Sequence, residues 1–513
     1  MIGIAIAVLV AAPDSRDAKF IESRIDVKDP GFHYEFVRVD DDARTDLILS
    51  TAESNQAALQ IHRQRSDGSF AAEPDWRMSV PPDVVAFACL DVRPDAGTEI
   101  LLLTRSGVFS LSPHRESLQE NLRREMAIPI FPSLAASGAV NRWRMVGDVD
   151  GDGREEIAIV SGLDLVLLGV SLEEDGTSKL IEKGRASGFR PLERESSRLE
   201  FQGSGSNWTF TVAPPRFFKD TRSSQASFPL VSFFYDLQRM RLPGLIDWNG
   251  DGCLDAVLRR DTQLRVTPYD PKNHAFTTAV TVPIPQMSES SEGDDRTFEL
   301  RDIDADGDLE VIMTERLDNG LSPDQVVVVV PGEGGGKLAA EPSARVKFSA
   351  LAVRHEWVDV DGDSLLDLFS LAMRVPTGIT SLASVRLEVS ALVHRGEGQG
   401  RLSRKPSLRL ERSYRPEELE RIQETLQVSV SGRFAGTKLQ DLILIQPDGG
   451  VEIHALERSG DGLVVVEDPW TRFRARAIVQ SLETWDLSAD GISDLSLIHE
   501  RGLTLFVSGG GSP

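Results

Sequence analysis

The stretch DVDGDGREEIAIV, residues 148 to 160, recurs along the chain, and no other feature constrains the fold as tightly. Complete copies stand at DWNGDGCLDAVL (247 to 258) and DIDADGDLEVIM (302 to 313). In DVDGDSLLDLFSL (359 to 371) Ser364 replaces the glycine, and in DLSADGISDLSLI (486 to 498) Ser488 replaces the third-position acid. Aligning on the ninth position and the apolar run behind it recovers three eroded copies: RVDDDARTDLIL from Arg38, DVRPDAGTEILLL from Asp91 and RFAGTKLQDLILI from Arg433. Most of these eight copies follow one another at 53 to 57 residues. A period of that size marks a supersecondary unit that cannot bury its faces without neighbours.

Each unit reads as strand, acidic loop, apolar strand, Gly-containing turn, strand and a more polar strand, as in VVAFACL, EILLLT and GVFSLS of the second copy. Four strands in ~55 residues is the size of a propeller blade, and closing the ring removes the sheet edges that an open stack would expose. The expectation is an all-β fold, an eight-bladed β-propeller with seven or nine blades as alternatives, forming a single domain over residues 14–513. After Asp494 only LSLIHE and LTLFVSG remain before the end, so Phe20 to Val27 is expected to supply the outer strand of the last blade. Two longer gaps predict insertions at about 163–240 and 411–430. The first contains RLEFQGSGSNWTFTV (198 to 212), a hairpin pattern without an acidic loop, which reads as an insertion rather than a ninth blade; the second contains RPEELERIQETL (415 to 426), with helical spacing.

The loop pattern is D-x-D-x-D-G-x-x-[DE], complete at Asp148, Asp150, Asp152, Gly153 and Glu156. Alternate carboxylates pointing inward around a glycine turn make an oxygen cage, which suits calcium better than magnesium or zinc. An EF-hand would need a glutamate at position twelve and a helix behind it; here Ile159 and a strand follow. In the eroded copies Arg93 and Arg38 stand among carboxylates, and the expectation is that their guanidinium groups take the place of the ion.

With these loops the chain resembles the FG-GAP/VCBS repeat family of calcium-loop propellers over about residues 20 to 508. The resemblance implies calcium loops between the first and second strands of blades, about five sites in all. Carried over residue by residue, the ligands are Asp148, Asp150, Asp152 and Glu156; Asp247, Asn249, Asp251 and Asp255; Asp302, Asp304, Asp306 and Glu310; Asp359, Asp361, Asp363 and Asp367; and Asp486, Ser488, Asp490 and Asp494. Fold and function are separable, so the family implies no single activity.

Acidic residues outnumber basic ones, 80 to 56, for a formal net charge of −24. That balance argues against nucleic acid as partner and favours cations. Cys89 and Cys253 stand alone, supporting neither a disulfide framework nor a thiolate zinc site. The apolar start MIGIAIAVLVAAPDS has the length of a signal-peptide core (residues 1–13), no segment reaches the ~20 apolar residues of a membrane helix, and a secreted, periplasmic or cell-surface location is expected. The eight histidines read as surface or strand filler, and no nucleophile, zinc or phosphate-loop motif occurs. The expected function is a non-catalytic scaffold for a protein or glycan partner. The alternative is a propeller-scaffold enzyme, a polysaccharide lyase or hydrolase, working at the central channel. Shifted Arg, Lys, Tyr or His groups at the channel would favour the enzyme.

Overall fold

The computed structural model describes residues 20–509 apart from 29–30, 54–55, 95, 114–120, 131–138, 163, 174–175, 188–197, 203–208, 214–243, 261–262, 286–295, 318–323, 351, 375–385, 415–427, 447–448, 461, 476, 478 and 500. The N-terminal apolar run and the expected helix at 415–426 lie outside these residues.

Every element with a defined span is a strand. The chain forms eight antiparallel blades: blade 1 over 33–79, blade 2 over 84–126, blade 3 over 146–187, blade 4 over 244–283, blade 5 over 296–349, blade 6 over 352–414, blade 7 over 428–474 and blade 8 over 479–508. Blade 8 takes its fourth strand from the other end of the chain: Phe20–Asp26 pairs with Gly502–Ser508 from Phe20↔Ser508 to Asp26↔Gly502. Closure by the N-terminal strand follows from the shortfall of strands after Asp494. The strand Phe20–Asp26 covers the edge that the truncated last repeat would leave bare. Its first residue is held by aromatic rings, with Phe20 at 5.8 Å from Trp470 and 5.2 Å from Phe473.

The core is likewise annular. Eight apolar clusters each bridge two consecutive blades, from Ile48 with Phe87 between blades 1 and 2 round to Leu497 with Ile453 between blades 7 and 8 and Leu503 with Leu47 between 8 and 1. Strand residues alternate between the two faces of a sheet, so each blade contributes one face to each neighbour, and no cluster can form without both.

Several elements depart from the plain repeat, among them short two-stranded ribbons within blade 4 (Tyr269–Asp270 with Ala275–Phe276) and blade 7 (Leu456–Ser459 with Gly462–Val465). Asn141–Arg142 adds a fifth strand to blade 2, parallel to Val84–Leu90 on its first-strand edge. Between blades 3 and 4, Arg198–Gln202 pairs with Thr209–Ala213 as a two-stranded sheet, so the expected hairpin forms and adds no blade.

Candidate functional site

The acidic loops all sit between first and second strands, on one face of the ring, and are joined to one another. Near the end of a loop, one amide donates to the carbonyl near the start of the preceding loop: Leu254 to Val149 at 2.7 Å, Leu366 to Ile303 at 2.7 Å, Gln440 to Val360 at 2.9 Å and Thr98 to Arg38 at 2.9 Å. The sixth position of the five best-preserved loops is left-handed, with φ of 83° at Gly153, 86° at Gly252, 89° at Gly307 and 80° at Gly491. Ser364 adopts the same conformation, at 73°, without the freedom of glycine. The turn is therefore a property of the loop as a whole and survives the substitution.

The ninth acid is the constant element. Asp46, Glu99, Glu156, Asp255, Glu310, Asp367, Asp441 and Asp494 are all exposed by 1% or less. One oxygen of each accepts the amide of the second loop residue, such as Val149 at 2.8 Å, Ile303 at 2.8 Å and Val360 at 3.0 Å; in blade 7 the donor is Ala435, at 2.8 Å. In blades 1, 4, 6 and 8 the second oxygen accepts an amide beside the end of the third strand, from Gln64, Tyr269, Gly396 and Ser508 at 2.6–2.9 Å. Burial pushes these acids upward, to about 6 for Asp46, Asp441 and Asp494, about 7 for Asp255 and Asp367, and about 8 for Glu310. Because it recurs in eroded copies too, this position is first a clamp across loop and hairpin. Its retention in all eight copies was the visible signal.

The first, third and fifth acids differ from blade to blade. Three sets bring carboxylate oxygens within 4.8 Å of one another: Asp148, Asp150 and Glu156 in blade 3, Asp302, Asp304 and Asp306 in blade 5, and Asp359, Asp361 and Asp367 in blade 6. In blade 5, Asp302 Oδ1 and Asp304 Oδ1 are buried without a hydrogen-bond partner. Asp304 Oδ2 accepts the amide of Gly400, which belongs to blade 6, at 2.8 Å. In blade 4, Asp247 gathers the amides of Gly250, Asp251 and Gly252 at 2.9–3.2 Å, while Asn249 and Asp251 bond within the loop. Among the described residues no Lys or Arg forms an ion pair with the acids of the blade 4 or blade 5 loops. In blade 8, Asp486 accepts the amides of Asp490 and Gly491, Asp490 accepts the Ser508 hydroxyl at 2.9 Å, and Ser488 shares a hydrogen bond with the same hydroxyl.

The two arginines of the eroded loops, expected to stand in for the ion, behave differently. Arg93 turns inward, only 6% exposed, donating to the carbonyls of Ser110 and Asn121 at 2.8 and 2.6 Å. Arg38 does not: its side chain is exposed, and the cation near Asp40 is Arg63, at 3.3 Å. The position of an arginine in the motif says nothing about which neighbour reaches the loop from a later strand.

The histidines are not all filler. His62, His394 and His454 occupy one register position, each paired with the residue after the ninth acid. Each donates through Nδ1 to the carbonyl of the returning chain, Ala71, Ser403 or Val466, at 2.9 Å. The shared apolar-His ending of the third strand was the available signal; the intervals from the acid differ, which hid it.

A second polar cluster lies at the axis, where first strands converge. Arg142 donates to Glu35 at 2.7 Å. Arg144, ahead of blade 3, feels Glu483 of blade 8 and Tyr34 and Glu35 of blade 1; groups from non-adjacent blades meet only across the ring. Burial and the neighbouring Arg142 lower Arg144, while burial and Glu483 raise the Tyr34 phenol. Its hydroxyl lies beside Glu483 and Ser496 of blade 8. Elsewhere the first-strand charges pair within their own strand, Arg301 with Glu299 at 2.9 Å and Arg354 with Glu356.

No family model and no curated protein matches the chain. Among solved structures it is similar to one describing specific recognition of non-reducing terminal N-acetylglucosamine by an Agrocybe aegerita lectin, with 13% identity over 74% of this chain and 79% of that one and a TM-score of 0.39. It is also similar to the S. cerevisiae core factor, with 9% identity over 95% of this chain and 60% of that one and a TM-score of 0.35. Likenesses this distant carry no conclusion about ligand or activity; the fold rests on the order of the sheets. No helix among the described residues is long and apolar enough to cross a membrane.

Proposed function

We propose that this chain is a calcium-stabilised β-propeller acting as a non-catalytic scaffold for a protein or glycan partner, of the kind the FG-GAP/VCBS resemblance implies. The observation that carries the calcium reading is the blade 5 loop. Three carboxylates converge there with two buried oxygens lacking donors, and like charges so close repel unless a cation lies among them. Asp302, Asp304, Asp306 and Glu310 would hold the ion, and in blade 4 Asp247, Asn249, Asp251 and Asp255 would hold another. The ion would neutralise the loop. Because Asp304 also accepts the Gly400 amide, fixing that carboxylate would tie blade 5 to blade 6. Free calcium high enough for moderate sites is found outside cells, which fits an exported protein.

Thermal unfolding of the full chain in excess calcium and in chelator tests this reading. The midpoint is expected to fall in chelator, and Asp304→Asn is expected to remove part of the difference. A midpoint indifferent to chelation overturns it. The axial cluster supports a second reading, an enzyme at the channel, through Tyr34 and Arg144; turnover of an acidic polysaccharide that disappears in Arg144→Met would favour it.

A further inference from the structure

The blade 3 loop carries a complete acidic motif, as the blade 5 loop does, yet it already holds a cation. Lys183 Nζ lies 2.7 Å from Asp150, 3.0 Å from Asp152 and 2.7 Å from Glu156, with its side chain only 10% exposed. Lys183 belongs to the fourth strand of the blade, Ser178–Ser187, far from the loop in sequence. Its direction is set by a β-bulge: Leu167 pairs with Gly184 and Leu168 with Glu182, leaving Lys183 as the extra residue. A bulge of this kind re-aims one side chain out of the regular alternation.

The path is kept open by a glycine. A Cβ at Gly169 would come within 2.6 Å of Lys183 Cδ and Cε and 3.0 Å of Glu156 Cγ. The register gives this glycine a meaning. Leu168 pairs with Ile157, the residue after the ninth acid, as His62 pairs with Leu47 in blade 1 and His394 with Leu368 in blade 6. Gly169 therefore corresponds to Arg63 and Arg395. Those two arginines reach the third-position acid of their own loops, Arg63 to Asp40 at 3.3 Å and Arg395 to Asp361 at 2.7 Å. Arg458 of blade 7 adds a second guanidinium 3.5 Å from Asp361. In blades 4 and 5 the corresponding residues, which follow Thr267 and Val330 in the same pairing, are Pro268 and Pro331, which bring no charge.

We infer that Lys183 is the resident counter-ion of the blade 3 loop and keeps divalent metal out of it. The residue beside the end of the third strand, together with whatever passes over it, then decides which loops need an ion, and the demand falls on blades 4 and 5 and on blade 8, where Val507 stands at that place. An ammonium nitrogen at 2.7–3.0 Å from three carboxylates occupies the centre that a calcium ion would need, and calcium requires those oxygens at about 2.3–2.6 Å. Two cations cannot share the cage without strong repulsion. The inference rests on the calcium reading above only in taking the motif to be competent for metal once the lysine is gone.

The test is the number of calcium ions bound per full-length chain, counted by native mass spectrometry and titration calorimetry, for wild type, Lys183→Met and Asp304→Asn. Lys183→Met is expected to bind one ion more than wild type and Asp304→Asn one fewer. If Lys183→Met binds the wild-type number while Asp304→Asn loses one, the inference about Lys183 falls and the calcium reading stands. If Lys183→Met binds one ion and wild type none, the inference stands and the blade 5 reading falls. No binding by any of the three overturns both. Should Lys183→Met fail to fold, Lys183→Gln, which keeps a hydrogen-bond donor in the cage without its charge, is counted in the same way.

Discussion

Replacing Asp441 isolates the clamp role of the ninth acid from metal chemistry, because its loop retains no other acid of the motif. Asp441 is fully buried; one oxygen accepts the Ala435 amide at 2.8 Å, and Oδ1 has no hydrogen-bond partner among the described residues. Alanine removes the acceptor and strands a buried amide, at a cost of about 1–3 kcal/mol. Asparagine keeps one acceptor and removes the charge. Burial raises the folded-state value of Asp441 from 3.8 to about 6, so the ionised form is the destabilised one. A raised carboxyl contributes stability that is fully present below its unfolded value and is lost as pH rises through the folded value. At pH 7 the burden of that buried charge is about 3 kcal/mol, and at pH 5 roughly half of that. Urea unfolding of wild type, Asp441→Asn and Asp441→Ala at both pH values should rank asparagine above alanine. The advantage of asparagine over wild type should shrink by about 1 kcal/mol on going from pH 7 to pH 5. Other titrating groups are common to all three proteins and cancel in that comparison. A gap that does not change with pH, or asparagine no better than alanine, would refute the clamp argument.

Closure gives a second expectation. Phe20→Ala should cost about 3 kcal/mol through lost aromatic packing, and a chain lacking residues 1–27 should associate with increasing concentration through the bared Gly502–Ser508 edge, as read by light scattering; a truncated chain that stays monomeric contradicts the role of the closing strand. His355 bonds to Ser370 at 3.0 Å and is lowered by burial from 6.5 to about 3. A lowered base contributes stability present above its unfolded value and lost as pH falls, so His355→Gln should lose less stability than wild type between pH 7 and about pH 4.5. Equal losses in urea unfolding would remove that assignment.

The blades were legible because their signals are local and repeated. An apolar strand behind each acidic loop, a short turn and the next strand recur in every copy, and the ring then follows from faces that must be covered. Closure was legible too, since the last repeat is one strand short and the stretch from Phe20 supplies that strand outside any repeat. The loops were less transparent. Asp148, Asp302 and Asp359 head nearly identical motifs, yet their surroundings differ, because Lys183, Arg395 and Arg458 arrive from other strands or another blade.

By itself, then, the order of residues determined the propeller architecture, the place of the acidic turns and the strand that seals the circle, all of which depend on neighbours in the chain and on period, while the sheet order set the count at eight. Only the folded ring decided which turns carry their own positive charge and which ninth-position acids close a hairpin as well as a loop. It also decided that Arg144 and Glu483 face each other across the axis. These are contacts between segments far apart in sequence, set by a bulge, a glycine and the register of pairing, and electrostatic interaction depends on the distance between groups in space rather than along the chain.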